Sequence, residues 1–182
     1  LAKLEVFNHA QSGVYAVLNG DDPLLAPLKG RLPGTTVLCG KDQGCDYRAG
    51  ELESDWRSQV SCQVKTPYGN GRMDIPALGG HMIYPTLMAC AVGEWFGMDL
   101  EEIAAGVRNF APTKMRMNIL TRKDDITILD DGYNANPQSM RAAIEVLDGY
   151  AGEYKIAVLG DMFALGTLAG VLHGGVGQFL GT

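Results

Sequence analysis

The chain has 182 residues, of which 46% are hydrophobic and 20% are charged, and its formal net charge is -6 at pH 7. This length and composition can bury one sizeable hydrophobic core or two small ones. Because nucleic-acid binding needs a basic face, the acidic balance argues against a nucleic-acid partner. No apolar run approaches the roughly 18 residues of a membrane span, and the N-terminus lacks the layout of a signal peptide, so we expect a cytoplasmic location and no membrane span.

The first part of the sequence predicts a parallel core with an antiparallel flap. Residues 14–19 and 35–39 each predict a buried strand. Between residues 47 and 75 apolar and polar residues alternate, and Asn70-Gly71 is typical of a tight hairpin turn. The four cysteines lie at positions 39, 45, 62 and 90 without CxxC pairing, and we interpret them as reduced thiols, mostly in the core.

The middle of the sequence predicts a helical hairpin. Residues 82–96 are rich in alanine, leucine and methionine and are followed by Gly97, a common helix terminator. Asp99 begins a second helix that has two glutamates in its first turn. The segment 111–114, Ala-Pro-Thr-Lys, interrupts the helical pattern and is the predicted domain boundary.

The last part of the sequence restarts with strands and a helix. Residues 118–121, 126–129 and 155–159 predict strands, and residues 137–147 predict a helix between the second and the third. This alternation predicts a parallel or mixed sheet with a helical crossover.

A candidate ligand site lies where the strand at 126–129 meets the helix that begins at Pro137. Ligands of open α/β sheets bind at the carboxyl ends of strands, and the backbone N–H groups of a helix N-terminus favour anions. The polar residues at this junction are Asp130, Asp131, Tyr133, Asn134 and Asn136.

The same junction resembles a known family. DDGYNANPQSM at 130–140 is similar to the DSYNANP-x-S-M element of the Mur ligases. Further similar segments follow the order of that family: LAKLEVF at 1–7, LNGDDP at 18–23, GGHMIYPTLMACAVGEWFGMDLEEIAAGVRNF at 79–110, MRM at 115–117 and VLGDMFALG at 158–166. The ordered set is far more specific than any one segment.

The resemblance implies an α/β fold in two parts. Residues 1–112 would be the second half of a central ATP-binding domain, with parallel strands, the flap and the helical hairpin, and residues 113–182 the start of a Rossmann-like C-terminal domain. The 182 residues contain no GxxxxGK[ST] phosphate loop. We therefore expect a fragment of a ligase that needs the missing upstream domains of the same ligase for activity.

The resemblance implies the formation of an amide bond, driven by the cleavage of ATP. A carboxylate is activated as an acyl phosphate and is then attacked by an amine, with Mg²⁺ and cationic groups neutralising the phosphates. The resemblance is greatest to members that join D-alanyl-D-alanine to a UDP-N-acetylmuramoyl tripeptide in the synthesis of peptidoglycan. ATP and Mg²⁺ are thus the expected cofactors.

Several residues match functional positions of the family. Lys3 matches a lysine that is carbamoylated and helps to hold Mg²⁺, because a carbamate offers the oxygen ligands that Mg²⁺ prefers. His81 matches the histidine at a helix start that faces the nucleotide. Arg116 matches an interdomain arginine that reaches the phosphates, a role that suits the permanently charged, bidentate guanidinium.

Other matches concern the ribose and the substrate. Asp131 matches an aspartate that would accept a hydrogen bond from a ribose hydroxyl, and Tyr133, Asn134 and Asn136 flank it in the nucleotide site. Asp161 and His173 match residues expected to bind the substrate.

The sequence also departs from the family pattern. Met82 and Pro85 replace two asparagines that face adenine, and neither can pair with its donor and acceptor edges. Met115 replaces a glycine, which predicts a stiffer hinge, and Gly132 and Ala164 replace a serine and a glutamate.

Two alternatives to the predicted ligase remain. One is a non-catalytic module that keeps the architecture without the nucleotide site, and the other is a Mur ligase that adds a single amino acid. A nicotinamide-dependent oxidoreductase fits poorly, because the sequence lacks G-x-G-x-x-G followed by an acidic residue.

Overall fold

The computed structural model describes residues 2–10, 13–55, 57–121 and 126–181, and the side chains of residues 2 and 3 lie outside this description. The helices and strands, in chain order, are β1 (Tyr15–Asn19), β2 (Thr35–Gly40), β3 (Tyr47–Ser54), β4 (Val60–Thr66), β5 (Gly69–Ile75), α1 (Ile83–Trp95), α2 (Leu100–Arg108), β6 (Asn118–Thr121), β7 (Thr127–Asp130), α3 (Pro137–Gly149) and α4 (Ala169–Leu180). Short 3₁₀ helices lie at Ala2–Phe7, Ala26–Leu28, Gly80–Met82 and Gly166–Leu168.

The chain divides into two compact units. The first contains the described residues of Leu1–Glu53, Ser61–Ile75 and Met82–Asn109. The second contains those of Ser54–Val60, Pro76–His81 and Phe110–Thr182.

The first five strands form one sheet in the order β1-β2-β3-β4-β5. β1 pairs with β2 in parallel, with Tyr15 opposite Thr35, and β2 pairs with β3 in parallel. The connections from β3 to β4 and from β4 to β5 are too short for a parallel crossover, so these strands form the predicted antiparallel flap. Three of the four cysteines, Cys39, Cys62 and Cys90, are free and buried, as expected of core thiols.

The turn between β4 and β5 is not where Asn70-Gly71 predicted it. The strands turn at Pro67 and Tyr68, and residues 69–71 belong to β5. Thr66 Oγ1 accepts hydrogen bonds from the backbone N–H groups of Tyr68 and Gly69, at 3.1 and 3.2 Å, which stabilises the earlier turn. Gly71 serves packing instead, because a Cβ atom there would lie 2.7 Å from the Leu100 side chain.

The predicted helical hairpin is confirmed as α1 and α2. The Asp99 side chain caps α2 by accepting from the Glu102 backbone N–H, and the Glu102 side chain accepts from the Asp99 N–H. Gly93 lets the helices approach each other, since a Cβ atom there would lie 2.8 Å from two carbons of the Ile103 side chain.

The second unit is built on β6, β7, α3 and α4. β6 and β7 are antiparallel, with Asn118 opposite Asp130, and the described residues of this unit contain no parallel pair. A small core of buried side chains packs α3 against α4: Met140, Ile144, Met162 and Val176. The predicted helix at 137–147 is confirmed and extends to Gly149.

The strand predicted at 155–159 is wrong. Within the described part of the chain this segment joins neither sheet, and Ile156 and Val158 are 79% and 92% exposed. β-branched residues favour an extended backbone, but a strand also requires a hydrogen-bonded neighbour, which these residues lack among those described.

Candidate functional site

The junction between β7 and α3 has the predicted form of a strand, a polar turn and a helix start. Asn136 is the N-cap of α3, and its Oδ1 accepts from the backbone N–H groups of Gln138 and Ser139 at 3.0 and 2.9 Å. Ser139 Oγ accepts from the Asn136 N–H at 3.1 Å and completes a reciprocal cap. Asn136, predicted as a nucleotide-binding residue, thus has its side-chain oxygen engaged by the helix.

The antiparallel pairing of β6 with β7 brings two distant motifs together. Because Asn118 lies opposite Asp130, the residues before Asn118 run beside those after Asp130. Asp131 Oδ1 accepts a hydrogen bond from the Met117 backbone N–H at 3.1 Å, and the Met115 carbonyl accepts from the Tyr133 N–H at 3.2 Å.

Arg116 lies between these two hydrogen bonds. Its guanidinium carbon is 4.1 Å from the centroid of the Tyr133 ring, within cation–π range. Arg116 forms no ion pair with a carboxylate of the described residues. Tyr133 is 63% exposed, so the stacked pair is open to solvent.

The two residues flanking Arg116 have an unusual backbone. Met115 and Met117 have φ angles of 60° and 50°, in the left-handed region that favours glycine. The predicted stiffness at Met115 thus coincides with a conformation that costs a non-glycine residue energy.

Asp131 and His81 influence each other electrostatically. Partial burial raises the pKa of Asp131, while the hydrogen bond from Met117 and the charges of His81 and Arg116 act against that rise. Desolvation lowers the pKa of His81, and the carboxylates of Asp131 and Glu145 oppose this. Asp131 is therefore the carboxylate whose pKa responds to both His81 and Arg116, and all three are predicted nucleotide-binding residues.

A cavity of about 470 Å³ opens beside the junction in the second unit. Its polar lining includes Asp131, Tyr133, Asn134 and Asp161. Its apolar lining comes from β7, α3 and the segment at 156–160. Asn134 is exposed and its Oδ1 accepts from the Ala135 N–H at 2.9 Å, so it stabilises the turn.

His173 holds its own segment together. Its Nδ1 lies 2.8 Å from the Ala169 carbonyl, and its Nε2 accepts from the Met162 N–H at 3.0 Å. With Nε2 as the acceptor, Nδ1 is the nitrogen that donates to the Ala169 carbonyl. The Asp161 carboxylate lies 3.8 Å from His173 Nε2. Asp161 and His173 are therefore neighbours, with both His173 nitrogens engaged by the backbone.

Lys3 lies in the 3₁₀ helix Ala2–Phe7, and its side chain falls outside the described part of the structure. Among the residues whose side chains are described, no group of three or more His, Cys, Asp or Glu residues is arranged to hold a metal ion. The role predicted for Lys3 stays a prediction.

Asp21, which was not predicted as a site residue, lies just after β1 at the carboxyl end of a parallel pair. Its carboxylate accepts from the backbone N–H groups of Lys41 and Asp42 and from the Tyr84 hydroxyl, at 2.8, 3.0 and 2.9 Å. Burial alone would raise the pKa of Asp21, but these hydrogen bonds lower it below its usual range. In the sequence, the pair Asp21-Asp22 follows the predicted strand at 14–19 after a single glycine, and this pattern could have indicated the residue.

Some of the residues predicted to face a nucleotide have suitable side chains, and others do not. Arg116, with a guanidinium free of ion pairs to described residues, suits a phosphate, and Asp131 keeps a second oxygen for a hydroxyl donor. Met82 and Pro85, at the start of α1, offer no side-chain group that pairs with the edge of a base.

The parallel strands with their flap, the helical hairpin and the junction at 130–137 define a mixed α/β protein with polar residues after the ends of its strands. The Mur ligase middle domain model matches residues 1–93, and the model described as Mur ligase, glutamate ligase domain matches residues 115–181. The chain belongs to the Mur ligase family.

Among curated relatives, the chain is similar to UDP-N-acetylmuramoyl-tripeptide--D-alanyl-D-alanine ligases. It is 32% identical to that of Bacillus subtilis over 175 residues, which cover 94% of this chain and 36% of the relative. It is 36% identical to that of Escherichia coli over 115 residues, which cover 63% of this chain and 25% of the relative. The chain thus spans roughly a third of the length of the first curated relatives it matches, 36% and 33%.

Solved structures agree with this assignment. A crystal structure of MurF from Acinetobacter baumannii matches with a TM-score of 0.89 at 30% identity, covering 98% of this chain and 39% of that one. MurF from Thermotoga maritima in complex with ADP matches with a TM-score of 0.84, covering 98% of this chain and 40% of that one, and at 23% identity this likeness shows the fold. Among the described residues, no helix is both long and apolar enough to cross a membrane.

Proposed function

We propose that this chain is part of an ATP-dependent ligase of peptidoglycan precursor synthesis, which joins D-alanyl-D-alanine to a UDP-N-acetylmuramoyl tripeptide through an acyl phosphate. The observation that carries the proposal is the identity of 32% over 94% of this chain to a relative that bears this name. The missing upstream domains would supply the phosphate loop, which is absent from these residues.

The residues of the second unit would act mainly by positioning and by neutralising charge. Arg116 would bind phosphate oxygens, because its guanidinium stays charged and grips two oxygens at once. Asp131 would accept a hydrogen bond from a ribose hydroxyl through its second oxygen. His81, Tyr133 and Asn134 would line the nucleotide, and Asn136 would set the start of α3 beside it.

Asp161 and His173 would face the substrate side. Because both His173 nitrogens are engaged by backbone groups, this residue would orient the Asp161 segment while Asp161 meets a polar group of the substrate.

ATP would come with Mg²⁺, which neutralises phosphate charge, and a carbamoylated Lys3 would supply one of its oxygen ligands. The free thiols suit a reducing compartment, so we place the ligase in the cytoplasm.

A chimera tests this function directly. In the Bacillus subtilis relative, the aligned 94% of this chain would replace the segment of the relative to which it aligns. We expect the chimera to release phosphate from ATP only when the UDP-N-acetylmuramoyl tripeptide and D-alanyl-D-alanine are both present. The matched control is the chimera with Arg116→Ala, which should lose most of that activity. A folded chimera without phosphate release would contradict the proposal.

The second candidate is a non-catalytic module, and the side chains of Met82 and Pro85 favour it. Restoring asparagine at both positions in the chimera separates the two candidates. If the nucleotide site is intact apart from adenine recognition, the double variant should bind ATP more tightly than the unmodified chimera. ATP binding that stays undetectable in both would support the module. A Mur ligase that adds a single amino acid would instead consume that amino acid in place of D-alanyl-D-alanine.

A further inference from the structure

The turn Met115-Arg116-Met117 is held on both sides by the turn that follows β7. The Met115 carbonyl accepts from the Tyr133 N–H at 3.2 Å, and the Met117 N–H donates to Asp131 Oδ1 at 3.1 Å. The Arg116 N–H itself lies 3.4 Å from Asn118 Oδ1. A backbone group of each of the three residues therefore forms a hydrogen bond that holds the turn.

These ties hold a backbone that the residues would otherwise avoid. Met115 and Met117 both lie in the left-handed region, with φ of 60° and 50°. Strained conformations of this kind persist when the surroundings over-determine them, and they cluster at functional sites. On this backbone the Arg116 side chain lies over Tyr133, with its guanidinium carbon 4.1 Å from the ring centroid.

We infer that Tyr133 and Asp131 are positioning residues for Arg116: Asp131 fixes the backbone of the turn, and the Tyr133 ring holds the guanidinium ready for a phosphate. This inference rests on the function proposed above and assigns these two residues a role that acts through Arg116. A guanidinium that lies over an aromatic ring can still donate its N–H groups to an anion. A phosphate would thus meet an arginine that has already lost much of its side-chain freedom.

Two variants of Tyr133 separate the ring from the hydroxyl. Tyr133→Phe keeps the ring under Arg116, and Tyr133→Leu removes it while leaving an apolar side chain. In this chain, NMR spectra should show the Arg116 side-chain protons shifted upfield by the ring in the unmodified protein and in Tyr133→Phe. The shift should be absent in Tyr133→Leu. Equal shifts in all three proteins would overturn the inference.

In the chimera, the same variants test whether loss of the contact between Arg116 and Tyr133 raises the KM for ATP. An exposed cation–π contact contributes about 0.5–1 kcal/mol, which corresponds to a rise of about two- to fivefold in KM for ATP when it is lost. We expect this rise in Tyr133→Leu, a smaller one in Tyr133→Phe, and a smaller effect on kcat in both. Equal KM values in an active chimera and in its Tyr133→Leu variant would overturn the inference.

A different set of results is expected if the ligase proposal itself is wrong. An unmodified chimera that does not bind ATP, together with the expected NMR shifts in this chain, would overturn the ligase proposal and with it the phosphate step of the inference. The contact between Arg116 and Tyr133 would still stand. Unchanged unfolding midpoints of both variants ensure that a lost NMR shift reports the contact and not a lost fold.

Discussion

Replacing Gly93 by alanine tests how closely α1 and α2 pack. An added Cβ atom at position 93 would lie 2.8 Å from both Cγ1 and Cδ1 of Ile103, closer than carbon atoms tolerate. Ile103 is 4% exposed and has little room to move. Overpacking of this kind costs roughly 1–3 kcal/mol, against a gain of roughly 0.5–1 kcal/mol for alanine over glycine within a helix.

Gly106→Ala is the matched control. Gly106 and Gly93 each lie two residues before the last residue of their helix, but a Cβ atom at position 106 would meet nothing within 4 Å. Because the gain in helix propensity is the same in both variants, the difference between them isolates the clash at roughly 1–3 kcal/mol. Urea unfolding of the two variants measures it. Equal stabilisation by both alanines would refute the close approach of α1 and α2.

Two further changes test the capping of α3 and the hydrogen bonds of Asp21. Asn136→Ala should lower the free energy of unfolding by about 1 kcal/mol, because two N–H groups of α3 lose their acceptor. The control variant Asn134→Ala should lower it by less than about 0.5 kcal/mol. Thermal unfolding measures both variants, and equal losses would contradict the assigned cap. The lowered pKa of Asp21 means that its contribution is present at neutral pH and is lost as the pH falls. Asp21→Asn should therefore make the unfolding free energy less dependent on pH in the acid range, where aspartates become protonated. An unchanged pH dependence would exclude that linkage.

Local signals predicted the helices well. Asp99, followed by two glutamates, was predicted to begin α2, and in the structure Asp99 and Glu102 form a reciprocal cap there. Asn136 followed by Pro137 likewise marks the start of α3. In both cases the side chain bonds to backbone within its own turn, so the information is contained in a few neighbouring residues.

The predictions failed where a distant partner decides the outcome. Asn70-Gly71 is a strong turn signal, but the hydroxyl of Thr66 stabilises a turn earlier, and Gly71 makes room for Leu100 from α2. Residues 155–159 have the composition of a strand without a described strand beside them. Neither the packing of a helix nor the presence of a neighbouring strand can be inferred from these segments alone.

The site was only partly predictable for the same reason. The sequence placed Arg116 and Asp131 in separate motifs, and their proximity follows from the pairing of Asn118 with Asp130. The stacking of Arg116 on Tyr133 follows from the same pairing. A prediction of β6 and β7 as a hairpin, with its register, would have found this contact. The hydrogen bond from the Met162 N–H to His173, by contrast, depends on how the segment before α4 packs against that helix.

The most direct measurement of the proposed ligase is the product that the chimera forms. The chimera, with ATP, Mg²⁺, the UDP-N-acetylmuramoyl tripeptide and D-alanyl-D-alanine, would be analysed by mass spectrometry and for released phosphate. We expect one UDP-N-acetylmuramoyl pentapeptide for each phosphate released, and a large loss of both with Arg116→Ala. A folded chimera that forms no pentapeptide, or that forms it equally well without Arg116, would contradict the assignment of this chain and of its phosphate-binding residue.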